Sequence, residues 1–317
     1  MAVGHTIGLD TDLVKAAVSR IQDRPFRVIQ RNGMIGNGDD GLATHRHDLQ
    51  KSDETKKSTA LRYLAGREKE AKRNQKPSPW KPRGNAAATA RDHSGDADIK
   101  FYSACFCPFS QRVWIALEAM GFKYQYCETD PLRKPKPTPL LEANPRGLVP
   151  AIWQGGWACA ESSVILEYLE DTNSTIPLHP TIPKLKAICR LWIDFINTRI
   201  VPSFSGALLA TVDEARSQHM EMLQHQICEL TQAADEKGPY FLGDQMCLVD
   251  VHLAPFALRL SRLAPFRGLN LQALPARWKG WLDALEQNPH VRSTMSTDAL
   301  YAQSMNDLLK GFRGISD

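Results

Sequence analysis

Short apolar stretches and longer helical repeats alternate in the middle of the chain. Residues 99–102 and 124–128 are short and β-prone, whereas the segment between them carries apolar residues at helical spacing until Gly121. A strand, a helix and a second strand in this order predict a parallel pair with a crossover connection. Further along, Gly155 and Gly156 predict the tight turn of a hairpin.

The second half of the chain is predicted to be helical. Apolar residues recur there at intervals of three and four, and Gly or Pro interrupts the pattern between elements. The helices expected after the hairpin are 162–169, 185–200, 213–233, 248–263 and 275–286. The pattern therefore predicts a small α/β domain over residues 98–180 and an all-helical domain over residues 181–317.

Residues 1–97 differ in composition from the rest of the chain. They carry 18 Lys and Arg against 12 Asp and Glu, while the remainder carries 21 against 23. Few large apolar residues lie between 36 and 97, too few to offset the conformational entropy lost on folding. We therefore expect a disordered basic tail over 1–97, with one short amphipathic helix over 13–21 and a solvated basic run over 67–76. The mildly acidic body gives no reason to expect nucleic-acid binding.

Cysteine usage and apolar runs exclude several classes of protein. The seven cysteines show no framework spacing, which favours reduced thiols and a cytoplasmic location. No apolar run reaches membrane-spanning length, so no membrane span is expected. The chain has neither paired CxxC motifs nor an HExxH motif, so no metal site is expected. Acidic residues near the start argue against a mitochondrial presequence, and no secretory core is evident.

Cys107 stands where the first strand ends and the first helix begins. Pro108 suits the first helical position, because its ring presets φ and its missing N–H would have no intrahelical partner. The free amides and the positive dipole end of a helix favour an anion, and such placements lower a cysteine pKa from ~8.5 into the range of roughly 3.5 to 7.5. The pattern therefore predicts a reactive thiol at Cys107.

The other cysteines have a more ordinary interpretation. A cysteine is usually a small buried hydrophobe, and this role is expected for the five that lie in apolar runs: Cys127, Cys159, Cys189, Cys228 and Cys247. Cys105, two residues before Cys107, is an open alternative as a resolving thiol. The end of the strand would have to bend for the two sulfurs to meet.

A proline interrupts the apolar run 148–152 just before the third predicted strand. Such a proline suits a tight bend where the chain enters a sheet edge. About 5 to 6% of X–Pro bonds are cis in folded proteins, so the Val149–Pro150 bond is a candidate for the cis form and no more. Before this run, the connection 130–139 holds four prolines and is incompatible with a regular helix.

Four motifs in order resemble the cytosolic glutathione S-transferases, specifically the cysteine-bearing omega type and its fungal relatives. They are YSACFCPFSQR, NPRGLVPAI, the run 160–163 (AESS) and DQMCLVDVHLAPF. The resemblance covers residues 98–317, and nothing before Asp98 resembles the family. It implies a thioredoxin-like glutathione-binding domain, an all-α substrate domain, glutathione as co-substrate and a homodimer.

The resemblance also implies roles for individual residues. Cys107 matches the catalytic cysteine that forms a mixed disulfide with glutathione, and Phe109 matches a neighbouring contact position. The other matches are glutathione-binding positions: Lys136, Val149, Pro150, Glu161 and Ser162. Val149 would pair through its backbone, and Glu161 and Ser162 would hold the γ-glutamyl end. From the residues alone, Glu161 and Ser162 are equally an ordinary helix cap, and Lys134 or a solvated role remains an alternative at Lys136.

One motif departs from the family pattern. The helix that begins near residue 248 should be preceded by Ser or Thr three residues before Asp250, but Cys247 stands there. A thiol is a poor helix cap. We therefore expect this helix to be less firmly nucleated.

The resemblance implies a glutathione-dependent thiol transferase or reductase with a redox or detoxification role. Cys107 would attack a glutathionylated or oxidised small molecule, and free glutathione would regenerate it. Deglutathionylation and dehydroascorbate-type reduction fit this chemistry. The enzymatic alternative is conjugation of glutathione to an electrophile, using a hydroxyl of Tyr102, Ser103 or Ser110. The non-enzymatic alternative is a glutathione-binding regulatory module similar to the chloride-intracellular-channel proteins.

Overall fold

Four strands and four helices make up the first part of the fold. The protein is described here by a computed structural model, in which residues 80–173, 176–267 and 273–313 are described. In chain order the elements are α1 Asn85–Asp92, β1 Ile99–Ser103, α2 Pro108–Ala119, β2 Tyr124–Glu128, α3 Thr138–Ala143, β3 Ala151–Gln154, β4 Trp157–Ala160 and α4 Ser162–Thr172.

The strands form one mixed sheet in the order β2-β1-β3-β4. β1 and β2 are parallel, with α2 as the crossover, while β3 pairs antiparallel with both β1 and β4. Gly155 and Gly156 make the hairpin turn with φ values of 55° and 84°, a region that glycine occupies without a steric cost. Phe101 and Ile152 on the sheet and Leu117 on α2 are fully buried. The predicted thioredoxin-like arrangement is confirmed.

The second part is helical, as predicted. Its elements are α5 Pro183–Phe195, a π-helical segment Ile196–Ile200, α6 Val201–Leu209, α7 Asp213–Ala233, α8 Leu248–Arg267, α9 Ala276–Gln287, α10 Pro289–Ser293 and α11 Asp298–Arg313. The helix expected over 185–200 continues into α6 through the wider π segment. Pro202 lies two residues after this segment, and its missing N–H and its ring disrupt the regular hydrogen-bond pattern at this point.

One boundary near the cleft differs from the sequence-based expectation. Helix α3 begins at Thr138, inside the connection that was expected to exclude a helix, and places Pro139 in its first turn. Proline is tolerated there because the N–H groups of a first turn have no intrahelical acceptor. None of the described helices is long and apolar enough to cross a bilayer.

The predicted disordered tail is wrong for residues 80–97. Trp80 is 5% exposed, and its ring lies 4.9 Å from that of Phe106. The amide of Ala86 on α1 donates to the carbonyl of Met295 at 3.0 Å, and the His93 ring stacks on Tyr124 at 3.9 Å. These residues are ordered by partners more than 20 residues away, which the composition of the segment does not reveal. The expected helix 13–21 and basic run 67–76 lie outside the described residues.

Direct hydrogen bonds join the sheet-bearing part to the helical part. The Arg112 guanidinium on α2 donates to the carbonyl of His252 on α8 at 2.9 Å. Ser163 on α4 shares a hydrogen bond with the His252 ring at 3.2 Å, and Gln111 reaches Thr294 at 3.3 Å. The described residues within 76–317 accordingly form one compact unit. The division at residue 180 remains a prediction.

The start of α8 is held by Asp250 rather than by the side chain of Cys247. The buried Asp250 carboxylate accepts hydrogen bonds from the amides of Cys247 at 2.8 Å and Phe241 at 3.0 Å. It also accepts from the indole N–H of Trp281 at 2.7 Å. One acidic side chain thus satisfies three buried donors where helix α8 begins. The expected weak nucleation of this helix stays a prediction.

Candidate functional site

Cys107 is the N-cap residue of helix α2, as the sequence predicts. Its φ and ψ of −78° and 121° are extended, and Pro108 takes the first helical position. The Cys107 carbonyl accepts the amide of Gln111 at 3.1 Å, which is the first hydrogen bond of the helix. Its side chain is partly exposed, so the sulfur is held at the positive end of α2 and within reach of solvent.

The bend at Pro150 brings the third strand to this sulfur. The Val149–Pro150 peptide bond is cis, and strand β3 begins at the next residue. The Cys107 thiol donates to the carbonyl oxygen of Val149 at 3.9 Å. The cis form of the Val149–Pro150 bond, which the sequence left as a candidate, is confirmed. The backbone of Val149 lies next to the Cys107 thiol.

Cys105 has surroundings that differ sharply from those of Cys107. It is 4% exposed, and its amide donates to the Glu128 carboxylate at 3.1 Å. Burial, and then the neighbouring Glu128 carboxylate, raise the pKa of the Cys105 thiol well above its ordinary value. Cys105 is accordingly held as a neutral thiol. This disfavours its use as a nucleophile.

A cleft of about 550 Å³ opens beside Cys107. It lies between the loops of the sheet-bearing part and helices α6, α8 and α11. All seven residues predicted for the site line it: Cys107, Phe109, Lys136, Val149, Pro150, Glu161 and Ser162. The structure therefore brings together side chains that are spread over 56 positions of sequence.

Glu161 and Ser162 mark the start of helix α4 at one wall of the cleft. Glu161 has a φ of 72°, the one positive φ of a non-glycine residue in the described parts of the chain. Backbone held in so sparsely populated a region is typical of binding sites. The Glu161 carboxylate accepts from the Arg146 guanidinium at 2.7 Å, and both side chains are largely exposed. A carboxylate and a helix start together suit a ligand that carries an ammonium beside a carboxylate.

The Lys136 side chain links the proline-rich connection 130–139 to the segment that precedes Pro150. Its ammonium donates to the carbonyls of Pro131 at 2.9 Å and Gly147 at 2.7 Å. A Cβ atom on Gly147 would clash with the Cδ atom of Lys136, so glycine suits this close approach. Gly147 also has a φ of 61°. Through these two hydrogen bonds, Lys136 holds the connection 130–139 close to Gly147 and the residues that lead to Pro150.

The helical part supplies an apolar wall that sequence reasoning found only in part. The resemblance places Phe204, together with Trp192, Phe195 and Arg199, where members of the family contact substrates. Phe204 does line the cleft, whereas the other three are not among its lining residues. Trp192 and Phe195 pack against each other at 5.2 Å instead. The lining residues of the helical part that were not predicted lie on α6, α8 and α11: Ser205, Leu208, Leu209, Phe256, Arg259, Ser304, Met305 and Leu308.

The sequence carries a family signature over the part that holds the thiol. Residues 106–172 match the model for the N-terminal domain of glutathione S-transferases. The chain is 35% identical to glutathione S-transferase U2 of Arabidopsis thaliana over 171 residues, which cover 51% of this chain and 72% of that protein. The chain belongs to the glutathione transferase family. As a glutathione transferase it is an enzyme that uses glutathione as co-substrate.

Two further relatives show that this glutathione transferase is omega-like. The crystal structure of glutathione transferase Omega 3C from Trametes versicolor superposes with a TM-score of 0.67 at 37% identity, covering 74% of this chain and 100% of that one. Glutathione S-transferase omega-1 of Mus musculus is 28% identical over 213 residues, 67% of this chain and 86% of the mouse protein. The fold and the omega-type resemblance expected from the motifs are both confirmed.

Proposed function

We propose that this glutathione transferase is a thiol transferase that reduces disulfides and removes glutathione from adducts through a Cys107–glutathione mixed disulfide. The observation that carries the proposal is the position of the Cys107 sulfur. Cys107 is the N-cap residue of α2, its side chain is partly exposed, and it opens onto a cleft whose walls suit the charged groups of a tripeptide. A thiol in that position serves as a nucleophile toward sulfur.

The reaction consists of two balanced exchanges. The Cys107 thiolate attacks the glutathionyl sulfur of a substrate RS–SG, the S–S bond breaks, and RS⁻ leaves and takes a proton. The Cys107–SG bond that forms is then attacked by the thiolate of a second glutathione. This step releases oxidised glutathione and restores the Cys107 thiolate. With a small oxidised acceptor, the Cys107 thiolate first adds to the acceptor. A glutathione thiolate then attacks the Cys107 sulfur, so that the acceptor leaves with two electrons and takes up protons, and the Cys107–SG bond enters the same second step.

In this proposal the tripeptide is held by the remaining residues of the site. The Glu161 carboxylate pairs with the γ-glutamyl ammonium in place of Arg146, and Ser162 with the first amides of α4 binds the α-carboxylate. The backbone of Val149, positioned by Pro150, pairs with the cysteinyl unit. Lys136 lies toward the glycyl carboxylate, and Phe109 forms part of the wall beside the sulfur.

The positions of nearby hydroxyls favour disulfide exchange over conjugation. Conjugation requires a hydroxyl that holds the glutathione sulfur as a thiolate. Ser103 and Ser110 are buried, and Tyr102 packs against the cluster formed by Leu140, Ala143 and Ala151. None of these three hydroxyl residues is among the described residues that line the cleft.

Turnover of a small glutathionylated disulfide tests this function directly. We expect the wild-type enzyme to be retained on glutathione-agarose and to reduce the disulfide with free glutathione. Glu161→Gln should raise the KM for glutathione by roughly 10- to 100-fold, because a charge-assisted hydrogen bond is lost. Glu142→Gln, an exposed glutamate on α3, is the matched control and should leave the KM unchanged. Retention without turnover would instead indicate a binding module.

We also propose that the enzyme is a cytoplasmic homodimer. Its seven cysteines are all free, which fits a reducing compartment. Helix α5 carries three exposed apolar residues at intervals of three: Leu185, Ile188 and Leu191, which are 36%, 43% and 55% exposed. Such a stripe is typical of a protein interface.

Sedimentation velocity tests the dimer. The wild-type chain should sediment as a dimer, and Ile188→Glu should sediment as a monomer, since a charge in an apolar interface is costly. Met222→Glu, an exposed apolar position on α7, is the control and should remain dimeric. A wild-type chain that sediments as a monomer would contradict the proposed dimer.

A further inference from the structure

Residues 80–93, which we call the strap, are anchored to the rest of the fold at both ends. At one end, Trp80 is buried, and its ring lies 4.9 Å from that of Phe106, a residue that lines the cleft. At the other end, the carbonyl of His93 accepts the amide of Tyr126 on strand β2 at 2.7 Å. The strap is therefore an ordered part of the structure and not a loose connection.

The middle of the strap holds the short segment that leads into helix α11. Three hydrogen bonds join the strap to residues 293–296: the amide of Arg83 to the hydroxyl of Ser296 at 3.3 Å, the amide of Ala86 to the carbonyl of Met295 at 3.0 Å, and the hydroxyl of Thr89 to the carbonyl of Ser293 at 2.7 Å. Helix α11 begins two residues later, at Asp298. The strap thus fixes the position from which this helix starts.

A buried apolar cluster joins the strap to both the cysteine loop and α11. Trp80 shares this cluster with Phe106, which directly precedes Cys107, and with Leu300 and Tyr301 in the first turn of α11. The partly buried side chain of Cys107 packs against the same cluster. The strap is therefore placed to set the distance between the loop that presents the sulfur and the helix on the other side.

Helix α11 supplies an apolar wall of the cleft. Met305 and Leu308 line the cleft, and they follow Tyr301 by four and seven positions, so all three lie on one face of the helix. A helix is stiff over two turns because its backbone hydrogen bonds are continuous. A displacement of the first turn of α11 therefore moves this wall relative to Cys107.

We propose that the strap is a positioning element that sets the α11 wall and thereby determines how tightly the cleft binds apolar ligands. Trp80 and Thr89 are the side chains through which it acts. Neither is among the described residues that line the cleft, so their influence on binding passes through α11 and the cysteine loop. That these ligands are the acceptors of the reaction rests on the proposed function.

Binding of the apolar fluorescent probe 8-anilinonaphthalene-1-sulfonate to the full chain tests this inference. Leu308→Ala should weaken binding, because it removes part of the wall that contacts the probe. Trp80→Ala should raise the Kd about three- to tenfold, and Trp80→Phe should recover most of the affinity, because its ring still fills part of the cluster. Thr89→Val keeps the shape but removes the hydroxyl, and should raise the Kd about two- to threefold. Thr231→Val removes a buried hydroxyl that donates to Ile227 on α7 and is the matched control with an unchanged Kd.

A double-mutant cycle decides whether Trp80 acts through α11. If it does, Leu308→Ala should weaken binding of the probe less in Trp80→Ala than in the wild type, because the wall is already displaced. The same fold-change in both backgrounds would overturn the inference, as would a wild-type Kd in folded Trp80→Ala and Thr89→Val. Circular dichroism and the unfolding midpoint identify the folded variants. Thr89→Val takes the place of Trp80→Ala in the cycle if Trp80→Ala does not fold.

The probe contains neither a thiol nor a disulfide, so its binding is independent of the proposed function. Weaker and non-additive binding in the strap variants of an enzyme without disulfide turnover would support the strap and contradict the thiol transferase. Disulfide turnover together with an unchanged Kd in every strap variant would do the reverse.

Discussion

Replacing Cys107 with serine is expected to abolish glutathione-dependent disulfide reduction. A thiolate attacks a disulfide, whereas a serine hydroxyl stays protonated and does not form a mixed disulfide. We expect the rate to fall by about a thousandfold or more, to the level of the uncatalysed exchange. Binding to glutathione-agarose should persist, since Val149, Glu161 and Ser162 are unchanged. The measurement is steady-state reduction of a glutathionylated small thiol, alongside conjugation of a standard aromatic electrophile.

A matched control separates loss of the nucleophile from general damage. Cys228 on α7 is half-buried like Cys107 but packs against the main core away from the cleft. Cys228→Ser should retain the wild-type rate. If Cys107→Ser kept disulfide reduction, the mixed-disulfide mechanism would be wrong. If it gained conjugation, the hydroxyl-based alternative would be favoured.

Asp250→Ala is expected to cause the largest loss of stability. The Asp250 carboxylate is fully buried and accepts hydrogen bonds from Phe241, Cys247 and Trp281. Each buried donor left without a partner costs about 1 to 3 kcal/mol. We expect the free energy of unfolding to fall by about 3 to 5 kcal/mol, as when one side of a buried charged network is removed. Urea unfolding followed by tryptophan fluorescence measures this change.

The control for Asp250 lies in the loop just before helix α8. Asp244 is exposed, so Asp244→Ala should change the free energy of unfolding by less than about 0.5 kcal/mol. Asp250→Asn should fall between the two, because an amide keeps the shape and one acceptor oxygen but loses the charge. Equal stabilities for Asp250→Ala and Asp244→Ala would show that helix α8 does not depend on this carboxylate.

The sheet-bearing part could be predicted from sequence because its signals are local. The pattern around Gly155 and Gly156 specifies a hairpin by itself, and Pro108 after Cys107 specifies a helix start. The seven site residues follow from the resemblance of short motifs to those of the glutathione transferases. The structure brings all seven to one cleft.

The remainder depends on contacts between distant parts of the chain. Met305 and Leu308 on α11 line the cleft although they lie more than 100 residues after Cys107 in the sequence. Trp80 is buried where its ring packs against Phe106. Arg259 lies within an ordinary helical pattern, and no local feature distinguishes it from a solvated arginine. Contacts between residues far apart in the sequence determine these positions, and a single sequence carries little information about such contacts.

The most direct measurement of the central claim is the intact mass of the protein after exposure to oxidised glutathione, followed by mapping of the modified peptide. The account predicts a gain of one glutathionyl group per chain, located on Cys107 and removed by free glutathione. A gain spread over several cysteines, or located on another cysteine while Cys107 stays unmodified, would contradict it.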